Sequence, residues 1–367
     1  MASLPRLEVR RRWVYKPAGA WSYSHHPHLG VFGGTLFAIW SNGLANEDDC
    51  GQRILISRTA DLERWSAPVP LLTPGEWRSE HGVLTAGGLH AHAGGLTAFA
   101  GYFEYDHARF RSTRRPPTDN YHCRRGLIAL ASRDGEYWEP PLDLGIPFVP
   151  NHGPQRTASG RLILSGGISF PHSMQEDGLG GWSVSAIVPP ELLARYGDDS
   201  AAFEPVRQAM GWPAMLCEGA FYQTDDGVLH MLLRSNTERL WVTESVDDGE
   251  SWSRPVPTGF SDNRTKFHFG RLPDGRFYYV GNPDPARPGA RASLVVSTSA
   301  DGVSFDRHWV IADDPYTRRY DGLHKLGQYG YPHSAVFGDR LCVAVSRMKE
   351  ALEVIDFPLA ALAQASQ

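Results

Sequence analysis

A chain of 367 residues is long enough for a large buried core, and one domain per roughly 150 residues would suggest two domains, although all-β rings exceed that size as single units. Lys plus Arg number 36 against 41 Asp plus Glu, a formal charge of −5, which argues against nucleic acid or an anionic membrane as the main partner. Four cysteines (Cys50, Cys123, Cys217, Cys342) make neither a disulfide framework nor a CxxC pair, and no apolar run is long enough for a membrane helix.

In chain order, the basic start Met1–Arg12 lacks the apolar stretch of a signal peptide. As written the chain therefore reads as cytoplasmic, or as secreted if a leader has been trimmed. Leu7–Tyr15 has strand character. Beyond it a short pattern recurs: a tight turn containing Gly, then an alternating β-type run. It occurs at Gly33-Gly34, Gly94-Gly95, Ser159-Gly160, Asp226-Gly227, Asp274-Gly275 and Gly338-Asp339, at steps of about 61, 65, 67, 48 and 64 residues. Closing from the last turn through the C-terminus to the first adds about 62. Six near-equal units that close on themselves predict an all-β fold, a six-bladed β-propeller of four-stranded antiparallel blades spanning residues 1–367 as one domain. Seven blades fit the spacing less well. The last unit supplies three strands (332–337, 341–346, 351–357), and the N-terminal run adds the outer fourth, closing the ring. Pro189–Tyr196 opens with proline at a helix start and predicts a helix. The stretches 106–120 and 173–181 read as functional loops outside the blades.

A second repeat runs in phase with the first. Ser245, Asp247, Gly249 and Trp252 fill the Asp-box pattern S-x-D-x-G-x-x-W, and shortened copies start at Thr59, Ser132 and Ser299. In such a turn the Asp and Ser side chains accept backbone N–H groups, Gly takes the strained position, and the aromatic ring plugs between strands. These turns are structural and lie far from the channel.

Innermost propeller strands run side by side along the channel, so the offset from each first hairpin turn is a height scale. It places His28, His268 and His333 at one level, His26, His152 and Glu218 nearer the mouth, and His81 in the mouth itself. His90 and His92 stand close to the turn. A lone strand histidine is most often a satisfied structural residue. Five of six inner strands carrying His, with Glu218 on the remaining one, point instead to channel lining. Arg156, Lys266, Tyr329 and Tyr331 add cations and rings on the mouth side, and Arg234 ends the strand after Glu218. Such a mouth suits an acidic oligo- or polysaccharide, with rings stacked on the pyranose and Arg or Lys on its carboxylate. The bland reading of each residue is a surface ion pair with Asp262, Asp321 or Glu218. His28, His268 and His333, from neighbouring blades, form a candidate divalent-metal site, zinc by ligand type or else calcium. The chemistry below requires no cofactor.

Asp boxes on a six-unit ring resemble the sialidase superfamily of BNR-repeat propellers. Sialidases carry three arginines for the sialic carboxylate, one of them in an Arg-Ile-Pro motif near the N-terminus, plus a Tyr/Glu nucleophile pair. This chain has no Arg-Ile-Pro, and its first inner strand reads His25-His26-Pro27-His28, so the resemblance implies the fold rather than sialidase activity. Residues 217–359 are more similar to the propeller ulvan lyases, L-rhamnosyl-glucuronate lyases and α-L-rhamnosidases. The similar stretches begin at Glu218, Arg234, Thr265, Gly270, Tyr331 and Ser346, and His81-Gly82 looks like that group's catalytic imidazole segment. Those enzymes usually have seven blades, and their catalytic Tyr has no clear match here.

That resemblance implies β-elimination at a uronic acid: the carboxylate is neutralised, the C5 proton removed and the leaving O4 protonated. The candidate acid and base are His81 and His152, with Arg156 and Lys266 on the carboxylate and Tyr331 positioning the sugar. Glu218, Arg234, His268, His333 and Tyr329 complete the substrate contacts. The first alternative is a glycoside hydrolase using Glu218 with a second carboxylate, Asp262 or Asp321. A propeller that only binds glycan is the second.

Overall fold

The computed structural model describes residues 4–17, 19–105, 122–198, 200–284 and 289–363, so the excursion expected over 106–120 lies outside the described residues. Six four-stranded antiparallel sheets follow one another around a ring. Their innermost strands are Tyr23–Phe32, Val83–His92, His152–Arg156, Leu216–Gln223, His268–Arg271 and Gly330–Phe337. The six-bladed reading of the turn spacing holds. Each recurrent Gly turn joins the first and second strands of a blade. Gly33 and Gly34 both have positive φ (56° and 74°), the backbone that a two-residue hairpin of this twist needs.

Between each pair of neighbouring blades the inward faces build a separate apolar cluster, from Phe37, Ile39 and Leu84 between blades 1 and 2 round to Leu36, Trp40 and Val354 between blades 6 and 1. The ring closes as expected. Arg10–Tyr15 pairs antiparallel with Ala351–Pro358 and becomes the outer strand of blade 6. Its basic run has a structural use here. Arg11 grips the buried Glu353 with two hydrogen bonds of 2.8 Å, and Arg10 reaches Asp356 at 2.9 Å.

The Asp boxes form as read. Ser245 Oγ accepts the Gly249 N–H at 2.8 Å, Asp247 accepts Ser251 N–H at 2.9 Å, and Trp252 donates across to Ser185 at 2.9 Å. In the copy at Ser299, the amides of Ser304 and Val303 hold the Asp301 carboxyl down at about 2. A folded-state value below the unfolded one means that this turn contributes fully above about pH 4 and loses its contribution as pH falls towards 2. Asp301→Asn therefore lowers Tm at pH 7, and the gap from wild type closes in thermal melts taken towards pH 2.

The helix expected over 189–196 is present as Pro190–Tyr196, and a second one, Ser200–Met210, follows it. The 173–181 excursion is a loop laid against blade 2, where His90 Nε2 meets Glu176 O at 2.7 Å and Thr97 Oγ1 donates to Asp177 O at 2.8 Å. No helix among the described residues is long and apolar enough to cross a membrane.

Candidate functional site

Opposite the Gly turns, a cavity of about 580 Å³ opens over the channel, a size suited to a small ligand. The starts of the inner strands and the ends of the second strands supply its wall. Five inner strands carry a register break, and three of the breaks, between His25 and His28, Cys217 and Ala220, and Gly330 and His333, hold a residue that lines the cavity. At each of these three breaks one residue turns to positive φ: His26 (53°), Glu218 (50°) and Tyr331 (53°). The bulge aims a side chain into the cavity that a regular strand would direct between blades. Twelve non-glycine residues have positive φ among the described residues, and eight of them line this cavity: His26, Asp48, Glu218, Arg264, Arg291, His324, Tyr331 and Lys349. Each such conformation costs on the order of 1–3 kcal/mol, and such strain concentrates at working sites.

Tyr331 and Glu218 are the centre of the constellation. The Tyr331 hydroxyl donates a very short hydrogen bond to Glu218 Oε1, and Arg234 Nη1 donates to Glu218 Oε2 at 2.6 Å and to the Tyr331 oxygen at 3.0 Å. Hairpin register explains the second pair: Arg234 lies opposite Cys217, the neighbour of Glu218. Around the Tyr331 ring stand Lys266 Nζ at 4.9 Å, Arg291 Cζ at 5.0 Å and Lys349 Nζ at 6.0 Å from the centroid. Arg291 is only 4% exposed, and its Nε and Nη1 have no partner among the described residues. Two buried guanidinium donors without an acceptor suit an incoming carboxylate.

These surroundings set the protonation states. Burial alone would raise the Glu218 carboxyl, but the charges of Arg234 and Lys266 outweigh it and hold the group below its ordinary value. Burial and the Glu218 charge push the Tyr331 phenol well up. Burial lowers Lys266, despite Glu218, to about 8. The resting pair is thus a protonated phenol hydrogen-bonded to an ionised carboxylate.

Glu47 and Asp48, after the second strand of blade 1, also line the cavity. Lys349 Nζ holds Glu47 at 2.6 Å. Asp198 also lines the wall, but its carboxylate is taken by the amides of Gly167, Ile168 and Ser169. Among the described residues, Glu47 and Asp48 are the other carboxylates of the lining, and Gln52 Nε2 reaches Asp48 Oδ1 at 3.4 Å. Asp262 is buried outside the lining, where desolvation raises its carboxyl to about 7, and Asp321 is a surface residue bonded to Arg318.

Of the expected site residues, the fold brings Glu218, Arg234, Tyr331 and Lys266 together. It separates three others. Arg156 stands at the far end of its strand, paired with Leu162 beside the 157–160 turn, because four residues of strand carry it roughly 13 Å from His152. His81 occupies the turn before Val83, with its side chain 42% exposed and Glu80 at 3.7 Å, and is not in the lining. Tyr329 is buried under blade 6, donating to Asp314 Oδ1 at 2.7 Å with Arg347 over its ring at 4.2 Å.

His152, His268 and His333 meet His28 beneath the cavity, with ring centroids 4.1–6.1 Å apart. The nitrogens that approach one another within 4.8 Å belong to His28, His152 and His333, so His152 replaces His268 in the expected metal triad. A second group, His25, His26 and Glu47, meets the same distance, but Ser346 Oγ already holds His25 Nδ1 at 2.6 Å and Lys349 holds Glu47.

Arg291, Asp48 and Lys349 were not singled out as site residues from the sequence. They lie in irregular segments or at strand ends, where neither hairpin offset nor composition marks them.

Among curated proteins, no significant match to this chain was found. Solved structures share its fold. A Dyadobacter fermentans protein of unknown function superposes with a TM-score of 0.66 at 15% identity, covering 95% of this chain and 99% of that one. The NanB sialidase of Streptococcus pneumoniae gives 0.65 at 14% identity over 95% of this chain and 71% of that one. The Trypanosoma rangeli sialidase gives 0.68 at 12% identity over 97% and 60%. The family model described as a BNR repeat-like domain matches residues 34–343, most of the ring, and the chain belongs to that family.

Proposed function

We propose that the protein cleaves the glycosidic bond of an acidic sugar by double displacement, with Tyr331 as nucleophile. The observation that supports this is the Tyr331–Glu218–Arg234 constellation, with the Arg291 guanidinium over the Tyr331 ring and two of its donors without a partner among the described residues. Arg291 and Arg234 bind the substrate carboxylate. Engaging Arg234 draws positive charge away from Glu218, which raises its affinity for a proton. Tyr331 Oη attacks the anomeric carbon while its proton passes to Glu218, and the leaving oxygen takes a proton from Asp48. Water then attacks the same carbon and gives its proton to Asp48, while the departing Tyr331 oxygen recovers its own from Glu218. A carbohydrate acceptor in place of water makes the same step a transglycosylation. The sialidases that share the fold are consistent with this reading, and so is the Tyr/Glu pair, although His25-His26 stands where Arg-Ile-Pro would begin.

β-Elimination asks for an acid and a base beside the sugar. Neither His81 nor His152, the candidate acid and base, lines the cavity, and neither does Arg156, which favours displacement. The experiment is a screen of uronic- and ulosonic-acid glycosides read by reducing ends and by ultraviolet absorbance near the enone band. New reducing ends without absorbance are the expected result. Both signals together would assign a lyase, and binding without either would assign a glycan-binding propeller.

A further inference from the structure

The cavity mouth carries apolar side chains that the proposed chemistry does not use. Leu323 and Leu326 are 51% and 44% exposed, and Leu326 lines the cavity together with His324. Elsewhere, exposed large apolar side chains stand on outer strands, as Val69 and Val256 do, or in Asp-box turns, as Val246 and Val303 do. The segment that presents the two leucines is tied down. Lys325, between them, is buried and donates to Ser22 Oγ at 2.9 Å, with Glu350 at 3.6 Å. Gly327 O accepts the Met348 N–H, and the Gln328 N–H donates to Ala290 O, both at 2.9 Å. Apolar surface held in water forgoes the stabilisation of burial, so an apolar rim fixed at a binding cavity points to a ligand that covers it.

Two further bonds set this rim beside the acid. The Leu323 N–H donates to Asn46 Oδ1 at 2.7 Å, and Leu323 O accepts the Glu47 N–H at 3.3 Å. Asp48, the next residue, protonates the leaving oxygen in the proposed displacement, and its own carbonyl is held by Tyr105 Oη at 2.9 Å. The departing alcohol therefore leaves next to residues 323–326. We infer that the substrate's leaving group is an apolar alcohol, an alkyl-chain aglycone as in a glycolipid, seated on Leu323 and Leu326. This rests on the displacement reading, with Asp48 as the acid. A sugar in that place would ask for side chains that bond its hydroxyls. From Leu323 to Leu326 only His324 offers such a group to the cavity, since Lys325 is engaged in the interior. Each methylene taken out of water is worth about fourfold in affinity when fully covered, and about twofold on a half-open rim.

The test takes methyl, butyl and hexyl glycosides of glucuronic acid and of N-acetylneuraminic acid, with a disaccharide of each. It reads hydrolysis by the wild type and calorimetric binding to Tyr331→Phe. The alkyl alcohols are nearly equal in acidity, so the bond-breaking step is constant along the series. The expected kcat/KM rises about twofold per methylene, roughly 30-fold from methyl to hexyl, with the same trend in binding. The disaccharide is expected to be slower than the hexyl glycoside. Leu323→Ser combined with Leu326→Ser is expected to cut the hexyl-to-methyl ratio about tenfold. That ratio is taken within one preparation, so a poorly folded variant does not imitate the result, and the wild-type series stands alone if the variant does not fold. Hydrolysis that ignores chain length or favours the disaccharide, or a ratio unchanged in the variant, overturns the aglycone assignment and leaves the displacement standing. Binding that follows chain length without wild-type hydrolysis supports the rim as the alkyl site and overturns the displacement. Neither binding nor hydrolysis overturns both.

Discussion

Tyr331→Phe is expected to lower kcat by on the order of 10⁴-fold or more, since a double displacement loses its nucleophile. The fold should survive. The Phe ring keeps the packing of Tyr331 on His25 at 4.1 Å and beside Lys266, and Glu218 keeps its 2.6 Å bond to Arg234. Substrate binding should change little, because the carboxylate sites at Arg234 and Arg291 remain. Steady-state kinetics on whichever acidic glycoside the screen identifies would read this as lost kcat at nearly constant KM. A fluorinated glycoside that traps the intermediate should label Tyr331 in wild type, located by peptide mass spectrometry, and should leave the variant unmodified. A label on another residue, or full activity without the hydroxyl, would sink the nucleophile assignment.

Glu218→Gln has two separable consequences. As the group that takes the phenol proton, Glu218 should contribute about 10²–10⁴ to kcat, and the amide cannot replace it. As the partner of Arg234, it neutralises a largely enclosed guanidinium, so its loss also destabilises the fold, by roughly 3–5 kcal/mol if the arginine is left fully unpaired. The pH dependence carries the sign. The Glu218 carboxyl is held below its ordinary value, so its stabilising charge is fully present above the unfolded value of about 4.3 and is lost as pH falls through the folded one. Wild-type activity should therefore persist into mildly acidic buffer and collapse below it, whereas Tm of the variant should be insensitive over that interval. Melts and pH–rate profiles on both proteins distinguish this from a merely structural role, in which kcat would follow Tm.

How much of this is legible in the chain differs from residue to residue. The ring follows from local rules: Gly33-Gly34 and its five counterparts permit tight turns wherever they stand, and Asp247 or Asp301 closes its own turn within a few residues. Arg234 beside Glu218 was also readable, because hairpin register places them together. The counted offset failed at Arg156, which lies only four residues before Gly160 and so belongs near the turn, away from the mouth. It failed at Tyr329 because burial against Asp314 and Arg347, rather than distance along the strand, decided that side chain's direction.

By itself, then, the sequence determined the number of blades, the N-terminal closure and the residue types of the channel, since turns, alternation and Asp boxes act over a few neighbouring residues. Only the tertiary structure decided that Tyr331 meets Glu218 across 113 residues of chain, that the Arg291 guanidinium lies over the Tyr331 ring, and that His152 joins His28 and His333. Those meetings depend on bulges that reverse a side chain's direction and on closure of the ring, which brings distant blades to one axis. Both are held by packing of the whole ring and leave no mark in local pattern.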